Sequence, residues 1–421
     1  MKILVLGGGG REHALCWKIK QSPLVTRLAC SPGNAGIAQI CECLSGDALD
    51  VAHSFDADLV IVGPDGLLAD GVADKLRAAD IPVVGPNKSA ARLESSKIFT
   101  KRLLQKYKVP TAKFAAFDNG NDAKSYLQTQ PDGPIVVKAD GLAVGKGVVV
   151  AANRAEAIAG VDEVTQIAGA TTLGDKGRIV IEEMMVGPEI SFFALTDGET
   201  LLPLIEARDY KRAYDGDRGP NTGGMGCFSP VPDWTPELKN QVIETILKPT
   251  LAGLQSEKIE FRGVLYCGLM LTDEGPKVVE YNARFGDPEC QLIMARLQDD
   301  IVPIFMACAG IDVGMRDRKM SDFKLHWRDE AAVLVVMAAA NYPGAPRKGD
   351  RILGLNQGIK SETMIFHAGT KLEDDEFVTN GGRVLGVTAL GADIETARAR
   401  AYEIVESIEF DGAQYRTDIA A

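Results

Sequence analysis

Two lysines and a cluster of glycines stand together at Lys138-Ala139-Asp140-Gly141-Leu142-Ala143-Val144-Gly145-Lys146-Gly147. Lys138 ends an apolar stretch that reads as a strand, and Lys146 sits on a glycine-rich tip. Two cations with pliant backbone amides between them suit a polyphosphate that must be gripped and then released. The segment is not a Walker A loop, because the spacing differs and neither Ser nor Thr follows Lys146. A hairpin with surface lysines would use the same residues. Farther along, Glu280-Tyr281-Asn282 closes another apolar stretch. Strand alternation predicts Glu280 and Asn282 on one face, beside Val278. Two oxygen donors at a strand end suit Mg2+, which takes few protein ligands and completes its shell with phosphate oxygens and water. A solvated sheet edge is the plainer alternative. Arg284-Phe285-Gly286-Asp287-Pro288-Glu289 follows at once, bringing a guanidinium that can hold carboxylate or phosphate through two nitrogens.

Three other segments carry related signals. Gly7-Gly8-Gly9-Gly10-Arg11-Glu12-His13 follows a strand and opens a helix. Free amides and the positive helix end there would form an anion site; a tight turn under a closely packed helix would account for the glycines equally. The dinucleotide fingerprint is absent, since Glu12 stands where its third glycine belongs and the next strand ends in Cys30-Ser31 without a ribose-binding acid. Gly219-Pro220-Asn221-Thr222-Gly223-Gly224-Met225-Gly226 reads as a glycine-rich loop through which backbone can approach a ligand. Upstream, Asp209-Tyr210-Lys211-Arg212 adds an acid and several donors, which a solvated face would also explain.

The elements that must hold these residues fall into three stretches. Up to about residue 100, strands at Lys2–Leu6, Arg27–Cys30, Leu59–Val62 and Ile81–Val84 alternate with helical segments, including Asp70–Ala79. Such alternation predicts a Rossmann-like parallel sheet with helices on both faces. Ligands on these sheets lie beyond the carboxyl ends of the strands, where Gly7–Arg11, Ser31–Gly36 and Gly63–Gly66 fall. Residues 101–325 are mixed. Strands are expected at Ile135–Val137, Val148–Ala151 and Arg178–Glu183, with a hairpin of Val264–Leu271 and Pro276–Asn282. Residues 326–421 read as β-rich, with strands at Ala332–Ala338, Met364–Ala368 and Arg383–Thr388 before a helix with apolar residues at 394, 397, 401, 404, 405 and 408.

The chain has 421 residues, enough for about three domains. Its 46 basic and 58 acidic side chains leave a net charge of −12, which argues against nonspecific nucleic-acid binding. The apolar run Ala331–Ala340 is half the ~20 residues a membrane helix needs. The apolar N-terminal segment is too short for a secretory signal, so a cytoplasmic protein is expected. Eight cysteines without a CxxC pair read as reduced thiols, and four isolated histidines give no zinc spacing.

In order along the chain, Gly9 to Leu15, Pro32 to Gly36, Ser96-Lys97 with Phe99 to Lys101, Lys138 to Gly147, Gly219 to Gly226, Arg284 to Glu289, His367 to Lys371 and Thr379 to Val384 resemble the glycinamide ribonucleotide synthetase family of the ATP-grasp superfamily. The likeness runs nearly end to end. It implies an α/β and α+β multidomain fold: a Rossmann-like N-terminal domain (1–100), an ATP-grasp core (101–325) with a lid at about 122–186, and a small β-rich C-terminal domain (326–421). It also implies ATP-dependent joining of glycine to 5-phosphoribosylamine through glycyl phosphate, a step of de novo purine synthesis. The partners would be these small molecules, with no nucleic acid or membrane, and the expected assembly is a monomer or at most a weak homodimer.

By the same resemblance, Lys97, Lys138, Lys146, Glu182, Glu183 and Glu189 would bind ATP, and Glu280 and Asn282 would hold Mg2+ or Mn2+. Gly9, Gly10, Asn34, Asp65, Thr222, Gly223, Asp209 and Arg284 would meet the substrates. Arg284, Asp209 and Lys146 would take part in the chemistry, Asp209 by orienting or deprotonating the attacking amine. The chain departs from the family pattern at Gly63-Pro64-Asp65-Gly66-Leu67-Leu68, where Gly-Pro-Glu-x-Pro-Leu is usual. It departs again at Arg208-Asp209-Tyr210-Lys211-Arg212, where Gln-Asp-His-Lys-Arg is common. Both changes fall on the amine-substrate side. Rival readings are an ATP-grasp enzyme using formate or bicarbonate, a nicotinamide-dependent oxidoreductase and a nucleotide-binding module without chemistry.

Overall fold

A computed structural model describes residues 1–143, 147–170, 177–311, 319–356 and 362–421. The N-terminal sheet is parallel, with Lys2–Gly7 between Arg27–Pro32 and Leu59–Val62 and with Glu42–Cys43 and Val83–Val84 at its edges. Its central strands are apolar on both faces because both faces are covered. Ile3 and Val5 join one core cluster, while Leu4 and Leu6 join another on the opposite side. The strand order reverses on either side of Lys2–Gly7, so the loops after that strand and its two neighbours open on a common crevice. The helix expected at Asp70–Ala79 starts only at Val72. Gly71, in the left-handed region at φ +82°, breaks it from a short helix, Asp65–Ala69, which begins inside the loop expected at Gly63–Gly66.

A second sheet of four strands runs Phe114–Phe117, Ile179–Glu183, Ile135–Ala139, Val148–Ala151. Its inward residues, among them Val137, Ile179 and Ile181, pack under the helices Gly120–Thr129 and Arg154–Ala170 through Leu127, Ala157 and Val161. Alternation along Ile135–Ala139 then turns Lys138 to the other face, and Glu182 stands opposite Val136 on the neighbouring strand.

The third sheet is antiparallel and has eight strands, in the order Gly275–Asn282, Gly263–Thr272, Glu189–Thr196, Leu201–Asp209, Gly226–Ser229, Ala331–Ala338, Arg383–Gly391, Thr363–His367. The C-terminal strands therefore continue the sheet of the central segment, through four matched positions between Gly226–Ser229 and Ala331–Ala338. Helix Ile394–Ser407 covers them, with Ala397, Ala401, Ile404 and Val405 buried. The stretch read as one glycine-rich loop is partly strand: Arg218–Asn221 pairs with Arg212–Tyr214, and Gly226 begins a strand of the large sheet. All eight cysteines are free thiols, and only Cys41 and Cys43 are not buried. Among the described residues, no helix is long and apolar enough to cross a membrane.

Candidate active site

Gly275–Asn282 does not alternate along its whole length. Against Gly263–Thr272 it pairs Asn282 with Tyr266, Tyr281 with Cys267, Glu280 with Gly268, and then Val278 with Leu269. Val279 is left as a bulged residue. Val278 and Tyr281 consequently share the buried face, in one core cluster with Cys267 and Leu269. Glu280 and Asn282 project from the other face. The expected placing of Val278 beside Glu280 is thus corrected, because simple alternation assumes unbroken pairing.

Cations gather around this strand end. Lys138 Nζ lies 3.0 Å from Glu182 Oε2 and donates to the Val279 carbonyl at 3.4 Å. Lys101 Nζ meets the same Glu182 oxygen at 3.0 Å and donates to Thr111 Oγ1 at 2.7 Å. Glu182 is buried, yet its Oε1 has no partner. Lys97 opens the helix Lys97–Lys106, whose N-cap Ser96 also bonds Asp140, and its Nζ reaches the Gly141 carbonyl at 3.0 Å. Burial lowers the Lys97 ammonium and brings Lys101 down to about 8. Burial alone would raise the Glu280 carboxyl, but Lys211, Lys138, Lys97 and Arg284 together hold it below its usual range. Glu280 is therefore an anion at neutral pH, ready for a cation.

Arg284 is held on several sides. Its Nη2 bonds Glu94 Oε1 at 2.6 Å and Asn282 Oδ1 at 3.2 Å, and it lies 3.9 Å from Asp65 Oδ2. Its Nη1 donates to the Phe285 carbonyl at 3.2 Å, while the buried Nε has no partner. The other oxygen of Glu94 accepts from the Ala283 amide at 2.8 Å. Burial raises the Glu94 carboxyl against the pull of Arg284.

Asp209 ends its strand opposite Cys227. Burial pushes its carboxyl up to about 7, with Lys211 pulling down and Glu289, Glu189 and Glu280 pushing up. Lys211 pairs with Glu189 at 2.6 Å, and the acids around it keep it charged despite burial. Thr222 donates to the Lys211 carbonyl at 2.9 Å and accepts from the Gly224 amide at 3.0 Å, which shapes the loop. Gly223 donates its amide to Tyr342 Oη at 3.1 Å and gives its carbonyl to Arg383, which also pairs with Asp287 at 3.3 Å. Glu183 accepts from the Lys113 amide at 2.9 Å, away from the lysine cluster.

At the crevice of the parallel sheet several polar groups are already engaged. Glu12 Oε2 accepts from the Gly9 amide at 2.6 Å, and Asp287 Oδ2 accepts from the Arg11 amide at 3.2 Å. Two amides of the helix end, those of Gly9 and Arg11, are thus taken by carboxylates of the protein itself. The glycines make room for them: a Cβ on Gly63 would lie 1.8 Å from Glu12 Oε1, and one on Gly9 would lie 3.2 Å from Asp287 Oδ2. Asn34 donates to the carbonyls of Gly8 (3.0 Å) and His367 (2.8 Å) and accepts from the amides of Gly36 and Ile37 (2.9 Å each). Its whole hydrogen-bonding capacity is used, so the side chain braces the site rather than offering a free group. Asp65 opens the short helix, accepts from the Gly66 amide at 2.9 Å and faces Arg284.

The structure therefore brings together Lys97, Lys138, Glu182, Asp209, Glu280, Asn282 and Arg284, with Asp65 and Glu189 at the margin. Lys146 lies outside the described residues. Sequence reading assigned no role to Glu94, Lys101, Lys211, Glu289 or Arg383, nor to Arg11, whose Nη1 donates to the Phe285 carbonyl. Lys101, Lys211, Glu289, Arg383 and Arg11 lie inside recognisable motifs, whereas nothing in type or spacing marks Glu94.

A parallel crevice sheet, a small sheet carrying a lysine and a large antiparallel sheet ending in a paired carboxylate and amide define an ATP-grasp protein. The fold agrees with the biotin carboxylase domain of Hydrogenobacter thermophilus 2-oxoglutarate carboxylase (TM-score 0.74, 17% identity, covering 98% of this chain and 91% of that one). The chain belongs to the phosphoribosylglycinamide synthetase family, whose N, ATP-grasp and C domain models match residues 1–94, 95–290 and 332–421. It is 48% identical over 426 residues to the phosphoribosylamine–glycine ligase of Mesorhizobium japonicum, across all of this chain and 97% of that protein. The crystal structure of the Thermotoga maritima phosphoribosylamine–glycine ligase matches with TM-score 0.85 and 36% identity, covering both chains in full. ATP-grasp membership carries with it the use of ATP and a divalent metal. The donors present fit such an ion, since an ionised carboxylate and a neutral amide oxygen are hard ligands.

Proposed function

We propose that this enzyme joins glycine to 5-phosphoribosylamine at the expense of ATP, giving glycinamide ribonucleotide, ADP and phosphate. The observation that carries the reading is the ionised Glu280 beside Asn282, ringed by Lys211, Lys138, Lys97 and Arg284, in a chain of this family. Glu280 and Asn282 would hold the divalent ion, taken to be Mg2+ or Mn2+, which when bound neutralises phosphate charge.

A carboxylate resists nucleophiles because it is charged and oxide is a poor leaving group. The chain's own residues address this by positioning and charge. Lys138 and Lys97 would grip the inner phosphates. The unpartnered Glu182 Oε1 suits a donor brought by the nucleotide, and Glu183 and Glu189 would lie along its base and sugar. Arg284 would hold the carboxylate of glycine while one of its oxygens attacks the γ-phosphorus and ADP departs. The amine of phosphoribosylamine then attacks the carbonyl carbon of glycyl phosphate, phosphate leaves, and Asp209 accepts the amine's proton. The four-stranded sheet with its two helices serves as the lid that excludes water from the acyl phosphate, and Lys146 would close from it. Asp65, Gly9, Gly10, Thr222 and Gly223 would shape the amine-substrate side, with Asn34 as its brace. On this reading the protein works as a cytoplasmic monomer on small molecules, without nucleic acid.

An ADP-release assay with glycine and freshly made phosphoribosylamine, each omitted in turn, tests the proposal. Turnover is expected only with both. Turnover that needs formate or bicarbonate instead would overturn it.

A further inference from the structure

Arg284 is a long side chain whose charge must sit where a substrate anion arrives, yet the strand that delivers it ends two residues earlier, at Asn282. What fixes the guanidinium comes from elsewhere in the chain. Glu94, near the C-terminal end of the helix Lys88–Ser95, has a side chain only 8% exposed and places its two oxygens on two different donors: Arg284 Nη2 at 2.6 Å and the Ala283 amide at 2.8 Å. One carboxylate thus sets both the backbone just before Arg284 and the direction of its side chain. The same Nη2 reaches Asn282 Oδ1 at 3.2 Å, which fixes which atom of that amide faces the site and leaves its second lone pair for a cation. Asp65 Oδ2 waits 3.9 Å from the same nitrogen. Without Glu94 the guanidinium has a competing carboxylate to turn toward, on the side of the amine substrate.

We propose that Glu94 is a positioning residue: it aims Arg284, and through it Asn282, while touching no substrate itself. The inference rests on the reading of Arg284 as the residue that holds the carboxylate of glycine. Glu94→Gln is the informative variant, because it keeps the size but offers one acceptor oxygen where two donors need one each, and its amide nitrogen would face a donor. Small misplacements of a positioning group cost up to about 10²-fold. Glu94→Gln is therefore expected to lower kcat/KM for glycine by roughly 10- to 100-fold, with KM for ATP close to the parent's. Glu94→Asp should recover part of the loss. Adding Glu94→Gln to Arg284→Ala should cost little beyond Arg284→Ala alone, since the two act as a unit.

Steady-state kinetics of the four variants decide the matter. An impaired Arg284→Ala beside a Glu94→Gln enzyme with parental glycine kinetics would overturn the assignment of Glu94 alone. Losses that multiply in the double variant, or a parallel fall in ATP affinity, would also overturn it by marking a general structural role. Parental glycine kinetics in Arg284→Ala would instead remove the reading of Arg284 beneath it.

Discussion

Arg11 and Arg284 donate to the same acceptor, the carbonyl of Phe285, each at 3.2 Å. One guanidinium comes from the glycine-rich turn of the parallel sheet and the other from the end of the antiparallel one. Two like charges converge there because acids flank them: Glu12 at 2.7 Å from Arg11 Nε, and Glu94 at 2.6 Å from Arg284 Nη2. On the proposed reading the forked donors of Arg284 would form part of the seat for the carboxylate of glycine. Arg284→Lys keeps the charge but loses the fork that bonds Glu94, Asn282 and Phe285 together. It should reduce kcat/KM for glycine about tenfold or more, measured by ADP release at varied glycine.

Lys138 and Glu280 lie on facing elements and act on one another through space. Lys138→Ala or Glu280→Ala should each lower kcat by roughly 10²-fold or more, the scale for losing one electrostatic stabiliser. Near-parental turnover in either would remove that residue from the nucleotide site. Glu280→Ala should in addition raise the divalent-metal concentration needed for half-maximal rate.

Asp209 gives a pH dependence with a defined sign. Burial holds its carboxyl at about 7 in the folded protein, against about 3.9 for an ordinary aspartate. Acting as a base it must be ionised, so kcat/KM for the amine substrate should fall as pH drops below about 7. For stability the folded state binds the proton more tightly, so Asp209 favours folding at low pH and costs stability as pH rises through the interval between those values. Asp209→Asn should therefore lower activity, flatten the acid limb of the rate profile and raise the thermal midpoint more at pH 8 than at pH 5. A rate profile with an unchanged acid limb in the variant would dismiss this residue as the base.

Asn34 offers a stability test. All four of its hydrogen bonds are made, two of them to carbonyls of Gly8 and His367. Asn34→Asp sets a carboxylate against those carbonyls, and buried groups left unpaired cost about 1–3 kcal/mol each. The thermal midpoint should drop by several degrees, and denaturant melts should show the loss. An unchanged midpoint would mean that the brace bears no weight.

What could be read in the sequence follows the range of the interactions. Lys138, Glu280, Asn282 and Arg284 were visible because residue type and position at a strand end are local facts. Glu94 was not, since it meets Arg284 across 190 residues. The bulge at Val279 was hidden because it exists only relative to the partner strand. The glycine-rich turn was found, but the carboxylates that cap its amides include Asp287, 276 residues away. Apolar runs showed the C-terminal segment to be β-rich, yet gave no sign that Ala331–Ala338 would pair with Gly226–Ser229.

That last pairing has a bearing on how the molecule can be cut. Severing the chain near residue 330 would strip Gly226–Ser229 of the neighbour it bonds at four positions, baring a row of amides and carbonyls on the amino-terminal piece. The carboxy-terminal piece would carry the complementary raw edge. Fragments divided there should clump unless the two halves are made together and allowed to find each other, so reporters split for complementation belong in the exposed turns instead.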